Sequence, residues 1–157
     1  MIKSKKFNIL FTSGGFDILH AGHIANLEEI KSRCSKLIVG VSSDELLKSY
    51  KYTPPIVPLK QRMRMIAALR CVDTVMIQKE FMDIQMFIES KADKFALWTG
   101  WKDNPKIPEW YIKNDKMLWI PYNYGLSSTK IKERIIKQSY KIIRSQLQRE
   151  LKQENQK

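Results

Sequence analysis

Two histidines, His20 and His23, are the only ones in the chain, and they close the segment T-S-G-G-F-D-I-L-H-A-G-H that runs from Thr12. Three residues apart, on the first turn of a helix, they share one face. A helix amino end already offers unpaired N–H groups and the positive end of the dipole, so rings placed there join a ready anion site. Gly14 and Gly15 let backbone approach a bound group closely and present N–H donors. Such a cluster suits one task above others, stabilising negative charge as it builds on a phosphorus centre. A zinc site needs a third ligand, and no other histidine exists to supply it. The remaining alternative is two imidazoles that are merely packed or solvated.

A second segment, G-L-S-S-T-K from Gly125 to Lys130, opens the last helical pattern. Ser127, Ser128 and Thr129 supply hydroxyls and free helix-start amides beside Lys130, which reads as an ordinary N-cap or as a second phosphate cradle.

The elements that must hold these segments alternate along the chain. Phe7 to Thr12 and Lys36 to Val41 are short apolar runs of the buried-strand kind, and Thr74 to Ile77, Phe95 to Trp98 and Met117 to Ile120 are further strand candidates. Helical spacing marks Ala21 to Ser32, Asp44 to Tyr50 with Ser42 or Ser43 as its cap, Leu59 to Leu69, and Met82 to Ser90. Three prolines between Lys51 and Pro58 make that stretch a loop. From Ser127 on, Ile131, Ile135, Ile143, Leu147 and Leu151 trace one long helix. Alternating strands and helices predict an α/β, doubly wound, mostly parallel sheet of the Rossmann-like kind, with a long C-terminal helix. Ligands of such sheets bind at the carboxyl ends of the strands, where the loop from Ser13 to His20 falls. The expected division is a domain over 1–143 and a polar helical tail over 144–157.

Composition narrows the field. At 157 residues, 43% hydrophobic and 28% charged, the chain can bury a core, which excludes whole-chain disorder. No apolar run approaches the ~20 residues of a bilayer span, and the amino-terminal M-I-K-S-K-K-F-N-I-L-F does not read as a signal peptide. Two cysteines, Cys34 and Cys71, make no disulfide framework, so a reduced, cytoplasmic setting is expected. Of the formal net charge of +12, half sits between Thr129 and Lys157, where nine residues are positive and three negative. A basic surface attracts phosphorylated small molecules, anionic lipid or nucleic acid alike. A nucleic-acid-binding module is the remote alternative, since it leaves the histidine pair without a task.

The pattern G-x-F-D-x-x-H-x-G-H after a first strand, with G-L-S-S-T-x-I at a late helix start, resembles the cytidylyltransferase-like nucleotidyltransferases. The resemblance runs from about Phe7 to Ile136, through L-I-V-G-V-S-S-D-E at Leu37 to Glu45 and A-L-R-C-V-D-T-V at Ala68 to Val75. In size and layout it is most similar to the glycerol-3-phosphate cytidylyltransferases. Heptose-phosphate adenylyltransferases carry a G-C-F-D-I-L-H-A-G-H segment very close to G-G-F-D-I-L-H-A-G-H here. The resemblance implies transfer of a nucleotidyl group from CTP or ATP to a phosphorylated small-molecule acceptor, by direct in-line attack and without a covalent enzyme intermediate. The leading expectation is CMP transfer to glycerol 3-phosphate, feeding a surface-polymer pathway; the alternative is adenylyl transfer to a sugar phosphate.

By the same resemblance His20 and His23 contact the phosphates, and Gly14, Gly15, Phe16 and Asp17 form the nucleotide loop. Gly125, Leu126, Ser127, Ser128 and Thr129 form the helix start at the triphosphate, and Arg70 helps hold phosphates. Lys48 or Lys51 is the lysine near the α-phosphate and acceptor, and Trp101 is a pocket residue. Mg²⁺ is expected with the triphosphate and no protein metal cage, and the enzyme is expected to be a homodimer. Three positions depart from the cytidylyltransferase pattern. Tyr122 stands where an arginine is usual, L-W-T-G-W at Leu97 to Trp101 lacks the acidic pair, and Lys79 is the only lysine between Gln78 and Ile88. Four tryptophans, Trp98, Trp101, Trp110 and Trp119, are expected mainly in the core or at a contact between copies.

Overall fold

The computed structural model describes residues 7–51, 54–121, 125 and 127–154. The chain forms two compact units, Met1–Gly125 and Leu126–Lys157. In the first, β1 (Phe7–Gly14), α1 (Ala21–Ser32), β2 (Cys34–Ser42), α2 (Asp44–Lys51), α3 (Leu59–Ala67) and β3 (Thr74–Gln78) are followed by α4 (Ile84–Glu89) and β4 (Lys94–Trp98). A single 3-10 turn (Thr99–Trp101), α5 (Glu109–Lys113) and β5 (Met117–Ile120) complete it. The second unit is α6 (Ser128–Glu154).

The sheet order is β3-β2-β1-β4-β5 and every pairing is parallel, with Phe7 opposite Cys34, Val39 opposite Val75, Leu10 opposite Lys94 and Phe95 opposite Met117. A parallel sheet is covered on both faces, so its strands read as continuous apolar runs, and successive residues serve opposite faces. Leu10, Leu37, Val39 and Val41 pack with Leu27, Ile30 and Ile66 from α1 and α3. Phe11, Ile38, Phe95 and Leu97 pack on the other side with Met86, Phe87 and Tyr111 from α4 and α5. The chain leaves β1 toward β2 on one side, and β4 returns on the other. The strand order therefore reverses between β1 and β4, and the crevice at their carboxyl ends is the place where such sheets take ligands.

Most element boundaries expected from the sequence hold within a few residues, with two differences. The Met82 backbone is left-handed (φ 48°), and α4 begins only after Asp83, whose carboxylate accepts from the Met86 amide at 3.0 Å. The short α5 and the 3-10 turn carry no periodic signal long enough to read. Of the two caps expected for α2, Ser43 is the one used, its hydroxyl accepting from the Leu46 amide at 3.1 Å. The long helix expected from Ser127 onward is present as α6, which runs unbroken through residues 143 and 144.

Candidate active site

The loop from Gly15 to His20 is strained and firmly held. Phe16 and Ile18 have left-handed backbones (φ 49° and 55°), a conformation non-glycine residues keep only where their surroundings over-determine it. The Phe16 side chain is buried, as is the Asp17 carboxylate, which accepts the Ile56 and Val57 amides at 3.0 and 2.9 Å. Gly14 and Gly15 do not have positive φ. Their missing side chains are used by neighbours: a Cβ at Gly15 would stand 2.7 Å from Leu47 of α2, and one at Gly14 3.2 Å from the Phe16 ring. A side chain at 15 would therefore have to displace the buried Leu47 side chain.

The deepest contact is one that no sequence motif marks. Arg62 on α3 is 0% exposed. Its guanidinium donates to the Gly15 carbonyl at 2.6 Å, to Ser42 at 2.8 Å, to Val57 at 2.8 Å and to the Asp44 carboxylate. One planar group thereby ties the β1–α1 loop, the end of β2, the start of α2 and the loop before α3, using the fork geometry that lysine lacks. The available signal was its place four residues before Ile66, on the helix face otherwise given to the core.

His20 is the N-cap of α1: its backbone is extended (φ −142°) and its Nδ1 accepts from the Gly22 amide at 3.1 Å. With Nδ1 accepting, that hydrogen bond assigns the proton of the neutral ring to Nε2, which is left as a donor. The His23 ring stacks on that of His20, centroids 3.8 Å apart and 25° from parallel, and meets the Phe16 ring edge at 5.4 Å. Burial lowers the proton affinity of His20. His23 is depressed to about 4, first by burial and then by the charges of His20 and Lys51, against a smaller opposing effect of Asp17. The pair is therefore neutral at pH 7. The His23 Nδ1 is buried without a protein partner among the described residues. Two neutral, stacked N–H donors over the amino end of α1 can bind phosphate oxygens and strengthen those bonds as charge grows.

The structure distinguishes the two lysines. Both are exposed on α2, but the charge of Lys51 reaches His23, and its Nζ lies 6.0 Å from the Tyr50 ring centroid. Arg70 does not join the histidines. It is exposed in the connection that leads into the amino end of β3, next to Asp73, whose amide donates to Leu37 at the start of β2. In a parallel sheet that edge is opposite the carboxyl ends, so within one chain Arg70 is remote from the pair. Trp101, on the 3-10 turn after β4, packs on Phe81 at 5.7 Å. Trp98, Trp110 and Trp119 are half-buried against the core, as expected of most of the tryptophans. Gly125 is exposed, a Cβ there would meet nothing within 4 Å, and Leu126 and Tyr122 lie outside the described residues. In α6 the Ser127 hydroxyl accepts from the Lys130 amide at 3.3 Å, the bond of an ordinary N-cap; Ser128 and Thr129 form the first helical positions.

A parallel sheet with a histidine-bearing loop at its switch point defines a class of nucleotide-handling α/β proteins, and comparison with known proteins narrows it. The family model described as cytidylyltransferase-like matches residues 11–134, and the chain belongs to that nucleotidyltransferase family. The chain is 34% identical over 128 residues to the bifunctional protein HldE of Helicobacter pylori (strain Shi470), covering 81% of this chain and 27% of the relative. It is 35% identical over 136 residues to HldE of Campylobacter jejuni subsp. doylei, covering 86% and 29%. The chain thus spans less than a third of the length of these curated relatives. Among solved structures it is similar to the lipopolysaccharide core biosynthesis protein of Thermoplasma volcanium GSS1, with a TM-score of 0.63, 26% identity, and coverage of 75% of this chain and 99% of that one. No helix among the described residues is long and apolar enough to cross a membrane.

Proposed function

We propose that the chain transfers an adenylyl group from ATP to a sugar phosphate, of the heptose-phosphate kind. The observation that carries the chemistry is the stacked, neutral His20–His23 pair at the amino end of α1. The choice of acceptor is supported by the HldE matches, by a neighbour named for the lipopolysaccharide core, and by the near identity of G-G-F-D-I-L-H-A-G-H to the segment of heptose-phosphate adenylyltransferases. CMP transfer to glycerol 3-phosphate is the second reading, favoured by the family description alone.

In either case an oxygen of the acceptor phosphate, already ionised at pH 7, attacks the α-phosphorus in line. The bond from that phosphorus to the bridging oxygen breaks and pyrophosphate leaves. No general base is required. The histidines supply oriented donors to the phosphate oxygens, and Lys51 supplies a charge at the same place; catalysis is positioning and charge stabilisation. The imidazoles and amides of this loop suit phosphate oxygens rather than a hard cation, and no three His, Cys, Asp or Glu side chains converge among the described residues. Mg²⁺ would then arrive on the triphosphate and neutralise its charge. The resemblance also implies a homodimer, for which light scattering at micromolar protein would show twice the chain mass.

The test is pyrophosphate release with ATP or CTP, each with and without a heptose phosphate or glycerol 3-phosphate. Release that needs ATP and the sugar phosphate together is expected. Release that needs CTP and glycerol 3-phosphate would replace this reading with the second.

A further inference from the structure

Tyr50, Phe81 and Trp101 come from three different connections that leave the carboxyl edge of the sheet: α2 after β2, the loop after β3 and the 3-10 turn after β4. The Phe81 and Trp101 rings lie 5.7 Å apart and 32° from parallel, and Tyr50 meets Phe81 edge-on at 6.0 Å. All three are only partly buried, whereas Phe11, Phe87, Phe95 and Tyr111 in the core beneath are at most 2% exposed. The edge is built to hold them in place. Beneath them the Ser42 hydroxyl donates to the buried Gln78 side-chain carbonyl at 3.0 Å, linking the ends of β2 and β3. The left-handed turn at Met82 sends that side chain into the core, at 2% exposure, while Phe81 remains at the surface.

The position of this wall relative to the switch point indicates its occupant. The nucleotide takes the crevice between β1 and β4. Tyr50 and Phe81 follow β2 and β3, on the far side of β1 from that crevice, which leaves two of the three rings to the second substrate. Lys51, adjacent to Tyr50, is the cation whose charge reaches His23, which connects the wall to the reacting phosphates. An aromatic platform beside a cation matches a ligand with a flat apolar C–H face and a phosphate; a pyranose ring phosphate has both, and a polyol phosphate has no ring to stack.

We infer that Tyr50, Phe81 and Trp101 form the seat of the acceptor's sugar ring, with Lys51 toward its phosphate, and that the site selects a cyclic sugar phosphate over an acyclic one. This rests on the sugar-phosphate reading above and adds the residues that would enforce it. The wall is tested by binding, independently of turnover. Titrating the whole chain with an aldose 1-phosphate alone should change its tryptophan fluorescence, and glycerol 3-phosphate at the same concentration should not. The change should vanish in Trp101→Leu, weaken about tenfold in affinity in Phe81→Ala, the scale of one lost stacking contact, and survive in Trp110→Phe, whose ring packs on Phe87 and Tyr111 instead. In turnover, Phe81→Ala should raise KM for the sugar phosphate about tenfold and leave KM for ATP in place. A rise in KM for ATP would assign the wall to the base and overturn the inference. So would unchanged sugar-phosphate affinity in Phe81→Ala and Trp101→Leu with only a lowered Tm, the signature of packing alone. An intact chain that binds the aldose 1-phosphate through Trp101 yet releases no pyrophosphate with ATP would instead strike at the transfer reading and leave the wall standing.

Discussion

The β1–α1 loop and the start of α6 both present hydroxyls, amides and glycine in patterns suited to phosphate, but they are held in different ways. The first has two non-glycine residues in left-handed conformation, and it is locked from outside by Arg62, by Asp17 on the Ile56–Val57 amides and by Leu47 against Gly15. The second carries a contact three residues long, Ser127 to the Lys130 amide. A strained loop persists only when distant parts of the chain over-determine it, whereas a cap is stable on its own. The first segment is thus the one whose geometry the fold was built to maintain, and its failure should be global.

The largest effect should come from Arg62→Met. It leaves the Gly15, Ser42 and Val57 carbonyls without this donor and removes the ion pair to the part-exposed Asp44, and a buried acceptor left unsatisfied costs about 1–3 kcal/mol. Urea unfolding should show that loss, and a variant as stable as the parent would mean that the loop does not depend on its buried clamp. Next, His23→Ala should lower turnover by roughly 10²–10³-fold, the scale of one lost transition-state donor, with little change in Tm. Unchanged turnover would remove the histidine from the chemistry.

The pH dependence of stability separates the two regions further. The folded-state pKa of His23 lies below its unfolded value, so the unfolded chain binds the extra proton first. Stability should therefore fall as pH drops from about 6.5 to about 4, by up to about 3 kcal/mol, with His20 adding in the same direction. The paired carboxylates Asp73 and Asp115, whose pKa values are lowered by Lys31 and Lys94 hydrogen bonds, lose their contribution only below that window. In His23→Gln the slope between pH 6.5 and 4 should flatten; an unaltered slope would place the proton uptake elsewhere. The smallest effect belongs to Ser127→Ala, at about 1 kcal/mol or less of local helix stability. Amide exchange at the first turn of α6 should quicken while exchange in β1 and β2 stays unchanged. A loss of β1 protection would show that the two regions are not independently held.

The comparisons shift one expectation. The matches to HldE proteins favour the sugar-phosphate alternative over the polyol-phosphate reading, and the family itself stands as expected.

The amino-acid sequence by itself determined whatever is encoded within one element. The five strands show as apolar runs, α1 and α6 show at 3.6 spacing, the histidine pair shows at a helix start, and Ser127 shows as a cap. Each of these depends on neighbours a few residues away, and short-range steric and hydrogen-bond preferences decide them. Only the tertiary structure decided that Arg62 is a buried clamp rather than a surface charge, that the charge of Lys51 reaches His23, and that Arg70 lies at the opposite edge of its own sheet from the histidines. The same is true of the meeting of Tyr50, Phe81 and Trp101. These positions follow from the strand order β3-β2-β1-β4-β5, which brings together loops far apart in the chain. No local period encodes that order, because it is chosen by which faces of whole elements bury together.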